Sequence, residues 1–123
     1  LNLAIDSRIE IPDSVKGLIF DCDGTLVDSM TLHMEAWADA LRSTGSTFDY
    51  EFFFSKKGMK EEEIVVLYNI HMHKNLDPGT VVEAKHAFFR RHLREVRPIE
   101  KVVDVVYRYK NMVPMAVVSG GTQ

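Results

Sequence analysis

Two aspartates separated by one residue, Asp21 and Asp23, stand at the end of a short apolar run and are followed at once by Gly24. In extended backbone, residues two apart project to the same side, so this spacing aims both carboxylates together, and Gly24 lets the chain bend directly after them. A converging carboxylate pair can divide acid–base work. One member stays ionised as nucleophile or metal ligand, while the other, its pKa raised by its neighbour, exchanges protons. Two other uses of Asp-x-Asp-Gly compete. One is a solvated Asx turn, for which Asp and Gly are common residues. The other is a calcium loop, but an EF-hand starting at Asp21 needs Gly at its sixth position and Glu at its twelfth, where Leu26 and Leu32 stand, so that reading fails. Cys22 lies between the carboxylates, where a thiolate is disfavoured, and reads as a small buried side chain.

The elements that must position this pair follow from hydrophobic period and from Gly and Pro. Lys16-Gly17-Leu18-Ile19-Phe20 reads as a buried strand running into the polar loop Asp21 to Thr25. Met30, Met34, Trp37 and Leu41 recur with helical spacing, and Gly45 supplies a stop. A short helical turn is expected over 49–54, then a loop at Lys56-Lys57-Gly58-Met59. Glu61, Glu62 and Glu63 suit the positive end of a further helix whose buried face is Ile64, Leu67 and Tyr68. Asp77-Pro78 pairs a cap with proline at the first helical position, with Thr80 and Glu83 as the alternative capping box. The helix that follows carries Val81, Ala84, Phe88 and Leu93 and ends at Pro98. A last helix over 99–111 turns Val102, Val103, Val106 and Tyr109 inward. It leads to a second buried strand over 113–118, which ends in the Gly-containing turn Ser119-Gly120-Gly121-Thr122. Strand, helical insert, helix and strand fit a βαβ unit with an enlarged first connection, which brings both polar turns to one edge of a parallel sheet.

Composition narrows the function classes. At 123 residues, 46% hydrophobic and 27% charged, the chain suits one modest globular core rather than a disordered or fibrous one. A net charge of −3 without a Lys/Arg block argues against nucleic acid as a partner. No apolar run is long enough to span a bilayer and the N-terminus carries no signal-like segment, so the expectation is a cytoplasmic protein with no membrane partner. A single cysteine forms no internal disulfide and no Cys pair exists for structural zinc. His71-Met72-His73, and His86 with His92, are spaced so that neither pair shares a helix face, and all read as solvated helix residues. So does the run Arg90-Arg91-His92-Leu93-Arg94. Trp37, Phe52, Phe53, Phe88 and Phe89 are expected in a helical core.

The run Leu18-Ile19-Phe20-Asp21-Cys22-Asp23-Gly24-Thr25-Leu26-Val27-Asp28-Ser29 resembles the first motif of the haloacid dehalogenase superfamily of phosphohydrolases at nearly every consensus position. Val117-Val118-Ser119-Gly120 is similar to the second motif, in the right order and at the right distance. The insert resembles the helical cap of the beta-phosphoglucomutase and phosphoglycolate phosphatase branch. His33 and Ala36-Trp37 stand where that branch has His followed by Ala-Trp, and Lys57-Gly58 matches its substrate-facing cap loop. The resemblance implies an α/β fold, a Rossmann-like parallel-sheet core, incomplete in this chain, with an inserted α-helical cap. Core start, cap and core return are expected over 1–29, 30–97 and 98–123.

The same resemblance implies two-step phosphoryl transfer from a small phosphorylated, sugar-phosphate-like metabolite. Asp21 would be the nucleophile and Asp23 the acid and base. Mg²⁺ would be held by the Asp21 carboxylate and the Asp23 backbone carbonyl, and Ser119 and Gly120 would bind phosphate oxygens. His33, Lys57 and Gly58 would be cap residues near substrate, and cap closure would shield the intermediate from water. The family's third-motif Lys or Arg and fourth-motif acidic residues would lie after the second strand, so the 123-residue chain is expected to be the N-terminal part of a longer protein, trimmed also at its start, and inactive alone. A monomer is favoured. A phosphomutase is the rival within the family. It needs a second phosphate site in the cap, but Glu61 stands where that branch has a basic residue three after Lys-Gly, and its cap lysine aligns with Ala87. From another class, a non-catalytic binding module remains if the chain is complete.

Overall fold

A computed structural model describes residues 8–120. The chain divides into two compact units: one joins the segment ending at Ser29 to the segment beginning at Arg97, and the other is Met30–Val96.

The first unit is built on two parallel strands, β1 (Leu18–Asp21) and β4 (Met115–Val118). Leu18 lies beside Met115 and Asp21 beside Val118. The β1 strand thus runs one residue further than the expected Phe20, and Asp21 is its last residue rather than the first of the loop. Immediately beyond, the amides of Thr25, Leu26 and Val27 all donate to the Cys22 carbonyl, at 2.9–3.2 Å, and Gly24 takes φ +77°. That left-handed conformation favours glycine, which lets the chain double back within four residues. Two short strands, β2 (Val27–Asp28) and β3 (Arg97–Pro98), pair antiparallel where the insert departs and returns. This pairing was not visible in the sequence, and Pro98 belongs to it rather than ending the preceding helix. Helix α5 (Glu100–Tyr109) completes the described unit.

Both strands were expected to be buried, and they are not: Ile19 is 76% and Val118 62% exposed. A parallel sheet ordinarily has both faces covered, and two strands with one helix do not supply that cover. The same shortage changes α5, where Val105 is buried while Val102, Val103, Val106 and Tyr109 are only half-buried. Val103 and Val106 line an open apolar groove with Phe20, Leu26, Met115 and Val117.

The second unit is a four-helix assembly: α1 (Met30–Arg42), α2 (Tyr50–Ser55), α3 (Glu61–Met72) and α4 (Pro78–His92). Its start signals are those of the sequence. Asp49 caps α2 by accepting from the Phe52 amide, and Asp77 caps α4 by accepting from the Thr80 amide with Pro78 at the first turn, so Asp77-Pro78 prevails over the Thr80–Glu83 box. The core collects Met34, Trp37, Leu41, Phe53, Ile64, Val65, Tyr68 and Val81 among others. Phe53 sits at its centre, with ring centroids 4.8 Å from Trp37 and 5.4 Å from Tyr68. Tyr68 has no exposed surface, and its hydroxyl donates to the Thr47 carbonyl at 2.5 Å, which satisfies the polar tip of an otherwise apolar side chain. Asn69 clamps the α3–α4 connection, donating to the Leu76 carbonyl and accepting from the Leu76 amide. Leu93, expected inward, is exposed because α4 tightens after His92 into the 3₁₀ turn Leu93–Glu95, which rotates it off the apolar face.

Phe53→Ala should therefore cost about 3–5 kcal/mol, since it empties the centre of the aromatic cluster. Tyr68→Phe should cost about 1 kcal/mol, because it orphans a single carbonyl. Both are read as shifts in urea midpoint with an unchanged slope.

Candidate active site

In the α/β unit, the parallel register decides the placement of the chemistry. Because Asp21 pairs with Val118, Ser119 and Gly120 emerge from the same sheet edge as Cys22 and Asp23. Asp21, Asp23, Ser119 and Gly120 are all exposed there. The Cys22 amide donates to Asp21 Oδ1 at 2.8 Å, which fixes that carboxylate through its own backbone. Asp23 Oδ1 accepts a 2.5 Å bond from the hydroxyl of Ser29, a buried residue. Ser29, the last residue of the run that carries the family resemblance, thus fixes the orientation of the Asp23 carboxylate. Only the folded turn shows that six residues of separation close into contact. Burial, with added repulsion from Asp23 and then Asp21, pushes the Cys22 thiol up, which agrees with its unreactive reading, although Cys22 is half-buried rather than fully so. Gly121 and Thr122, expected to continue the second turn, lie outside the described residues.

The candidate cap residues belong to the helical unit. Lys57 is exposed, with its Nζ 4.4 Å from the Phe54 ring centroid, and Gly58 takes φ +88° in the loop before α3. His33 is half-buried, stacked on Phe89 at 4.4 Å, and its Nδ1 lies 3.1 Å from Lys85 Nζ. An ammonium only donates, so in this contact Nδ1 is the acceptor.

Lys85 opens onto a charged network that the sequence did not reveal. Glu61 bridges two partners, accepting from Lys85 Nζ through Oε1 and from His86 Nε2 through Oε2, each at 2.6 Å. Lys85 Nζ also lies 5.0 Å from the Trp37 ring centroid. The expectation that His86 is merely a solvated helix residue is corrected: it is half-buried and paired with a carboxylate from another helix. These contacts join residues 24 and 25 apart in sequence, so no local spacing announces them. His71 and His73 are exposed, as expected, with His71 beside Asp49 and His73 in a left-handed cap, but His92 is corrected too: it is half-buried, stacked on Phe88 at 4.1 Å and paired with Glu95. Among the described residues, no group of three or more His, Cys, Asp or Glu is placed to hold a metal.

A model of the haloacid dehalogenase-like hydrolases matches residues 15–123. The chain belongs to that family. It is 32% identical over 105 residues to fructose-1-phosphate phosphatase YqaB of Escherichia coli K12, covering 85% of this chain and 55% of that protein. It is 31% identical over 112 residues to 6-phosphogluconate phosphatase of the same organism, covering 87% of this chain and 48% of the relative. The chain thus spans about half the length of these curated relatives. A hydrolase structure from Pseudomonas syringae superposes with a TM-score of 0.73 at 19% identity, over 88% of this chain and 51% of that one, and so shows the shared α/β fold. No helix among the described residues is long and apolar enough to cross a membrane.

Burial raises the Glu61 pKa, but the hydrogen bond and charge of Lys85, joined by His86, outweigh it and hold the carboxyl below its ordinary value. A carboxyl with a depressed folded pKa supplies stability that is present above its unfolded pKa and lost as pH falls through the folded one. Glu61→Ala, which strands a buried lysine, should cost about 3 kcal/mol at neutral pH. In denaturation series run at successive pH values, the gap between the two proteins should close as acid protonates Glu61.

Proposed function

We propose that this chain is the nucleophile-bearing part of a phosphatase that hydrolyses a small sugar-phosphate-like metabolite through an aspartyl-phosphate intermediate. The observation that carries the reading is the level placement of Asp21, Asp23, Ser119 and Gly120 at the ends of two paired parallel strands. Family membership and two relatives named as sugar phosphatases support it.

In the first step Asp21 Oδ2 attacks phosphorus in line. A bond forms between that oxygen and phosphorus, the ester P–O bond breaks, and Asp23 gives its proton to the departing alcohol oxygen. In the second step Asp23, now a carboxylate, takes a proton from a water molecule that attacks phosphorus. Inorganic phosphate leaves and the Asp21 carboxylate is regenerated. The Ser29 hydroxyl steadies Asp23 for both transfers, and the Cys22 amide steadies Asp21 Oδ1. The Ser119 hydroxyl and the Gly120 amide donate to the non-bridging phosphate oxygens.

Two aspartates and a backbone carbonyl are hard oxygen donors, and Mg²⁺ characteristically takes few protein ligands and completes its shell with water and substrate phosphate. The Asp21 carboxylate and the Asp23 backbone carbonyl would hold it. When bound it offsets the repulsion between an anionic nucleophile and an anionic phosphate. Hydrolysis is favoured over a mutase because the cap's buried lysine is already neutralised. Lys85 lies two residues before Ala87, so α4 does bring a positive charge into the cap, but Glu61 pairs with it.

Protein made from its complete gene should release inorganic phosphate from a sugar phosphate without an isomerised product. Asp23→Asn should lower kcat by about 10²–10⁴-fold. Asp21→Asn should abolish turnover and the phosphoryl mass increment on the Asp21 peptide. Phosphate release that survives Asp21→Asn would overturn the mechanism.

A further inference from the structure

Helix α3 carries apolar residues on two sides, and its own unit covers only one of them. Ile64, Val65 and Tyr68 are buried in the helical core. Val66 and Ile70, one turn apart on the other side, are 47% and 68% exposed. A surface helix ordinarily turns a polar face to water, whereas a helix that is apolar on both faces is built to be covered twice. Two exposed apolar side chains alone need no explanation, so what surrounds them decides whether they form a site.

The surroundings are ordered by charge. Glu62 and Glu63 stand about a turn before Val66, and His73 and Lys74 about a turn after Ile70. All four are exposed, and none has an ion-pair partner among the described residues. The order acidic, apolar, apolar, basic is also symmetric. Glu62 with Lys74, Glu63 with His73, and Val66 with Ile70 are three pairs, each centred on the position of Tyr68. A two-fold axis perpendicular to the helix at that point sets α3 antiparallel against α3 of a second copy. It brings Val66 onto Ile70 and each acidic residue onto a basic one, as a self-complementary two-fold interface requires. An unrelated partner would need a matching surface but would place no such symmetry on this one.

We propose that the outer face of α3 is a docking surface for a second copy of this chain, with the two helices antiparallel, Val66 and Ile70 at the centre and opposite charges paired at both ends. A dimer takes the place of the monomer expected from the sequence. One pair of helices buries less area than a standard stable interface, so the association is weak and reversible. The charges act mainly on register and encounter, because a parallel alignment would set like against like. None of the residues at the Asp21 strand end takes part, so the proposal stands apart from the catalytic reading.

The test is sedimentation velocity on protein made from its complete gene, from about 10 µM to about 1 mM, the range that suits an interface of this size. The weight-average sedimentation coefficient should climb from the monomer value toward the dimer value, and salt at about 0.5 M should blunt the climb by screening the end charges. Ile70→Gln removes an apolar side chain from the centre without touching the core. It should weaken association about tenfold with an unchanged urea midpoint. Glu62→Lys and Lys74→Glu each set like charges across the axis and should each weaken association about threefold or more. The protein carrying both changes has opposite charges facing again and should regain the wild-type affinity. Loss of folding cannot imitate that recovery, since the double variant bears both disturbances to the helix.

A wild-type protein that stays monomeric over the whole range would overturn the proposal, and α3 would then be covered by another part of the full-length protein or left to solvent. So would a dimer that Ile70→Gln leaves intact, or a double charge variant that associates no better than the single ones.

Discussion

The parallel register of two short strands is the constraint on which the α/β unit depends. Pairing Leu18 with Met115 fixes every later position along both strands, and brings Asp21 level with Val118. A one-residue slip would turn Phe20 from its buried side to the exposed one and would offset the Ser119 turn from the aspartates. Backbone hydrogen bonding thus sets the spacing between the two aspartates and the Ser119 turn, and the side chains inherit it. The turn after Asp21 extends the same control. Three amides converge on the Cys22 carbonyl, and this winding returns Ser29 to Asp23.

The helical unit solves a different problem. Its centre is aromatic and buried, and its margin carries a lysine with almost no exposed surface. An ammonium in that position is tolerable because a carboxylate, an imidazole nitrogen and an indole face surround it. The same arrangement cancels a charge that would otherwise attract anions. The charge balance at this margin is therefore set by one carboxylate, that of Glu61.

Much of this was legible in the sequence because it is written locally. Asp77-Pro78 announces a helix start, Trp37, Phe53 and Tyr68 announce a core, and Asp21-Cys22-Asp23-Gly24 announces a polar strand end. What escaped is written across distance. The Glu61 pairing with Lys85 and His86 joins two helices, and the β2–β3 pair joins residues on opposite sides of the insert. The inward face of α5 was misjudged for a further reason. Val102, Val103 and Val106 have the right period, but periodicity reports which residues seek cover and says nothing of how much cover is present. Leu93 failed differently, since a tightened last turn changes the angle per residue on which the pattern relies.

The small β2–β3 pair bears on how the chain reaches its native state. Strand β1 meets β4 across roughly a hundred residues of sequence, a separation that makes contact formation slow because a long loop must close first. A helical unit rich in local contacts can form early, and once the flanking residues Val27–Asp28 and Arg97–Pro98 zip together, the intervening chain no longer counts as open loop. The remaining search is then only the short stretch through α5 to β4. Two residue pairs at the neck of the insert thus act as a kinetic shortcut, converting a distant strand pairing into a nearby one.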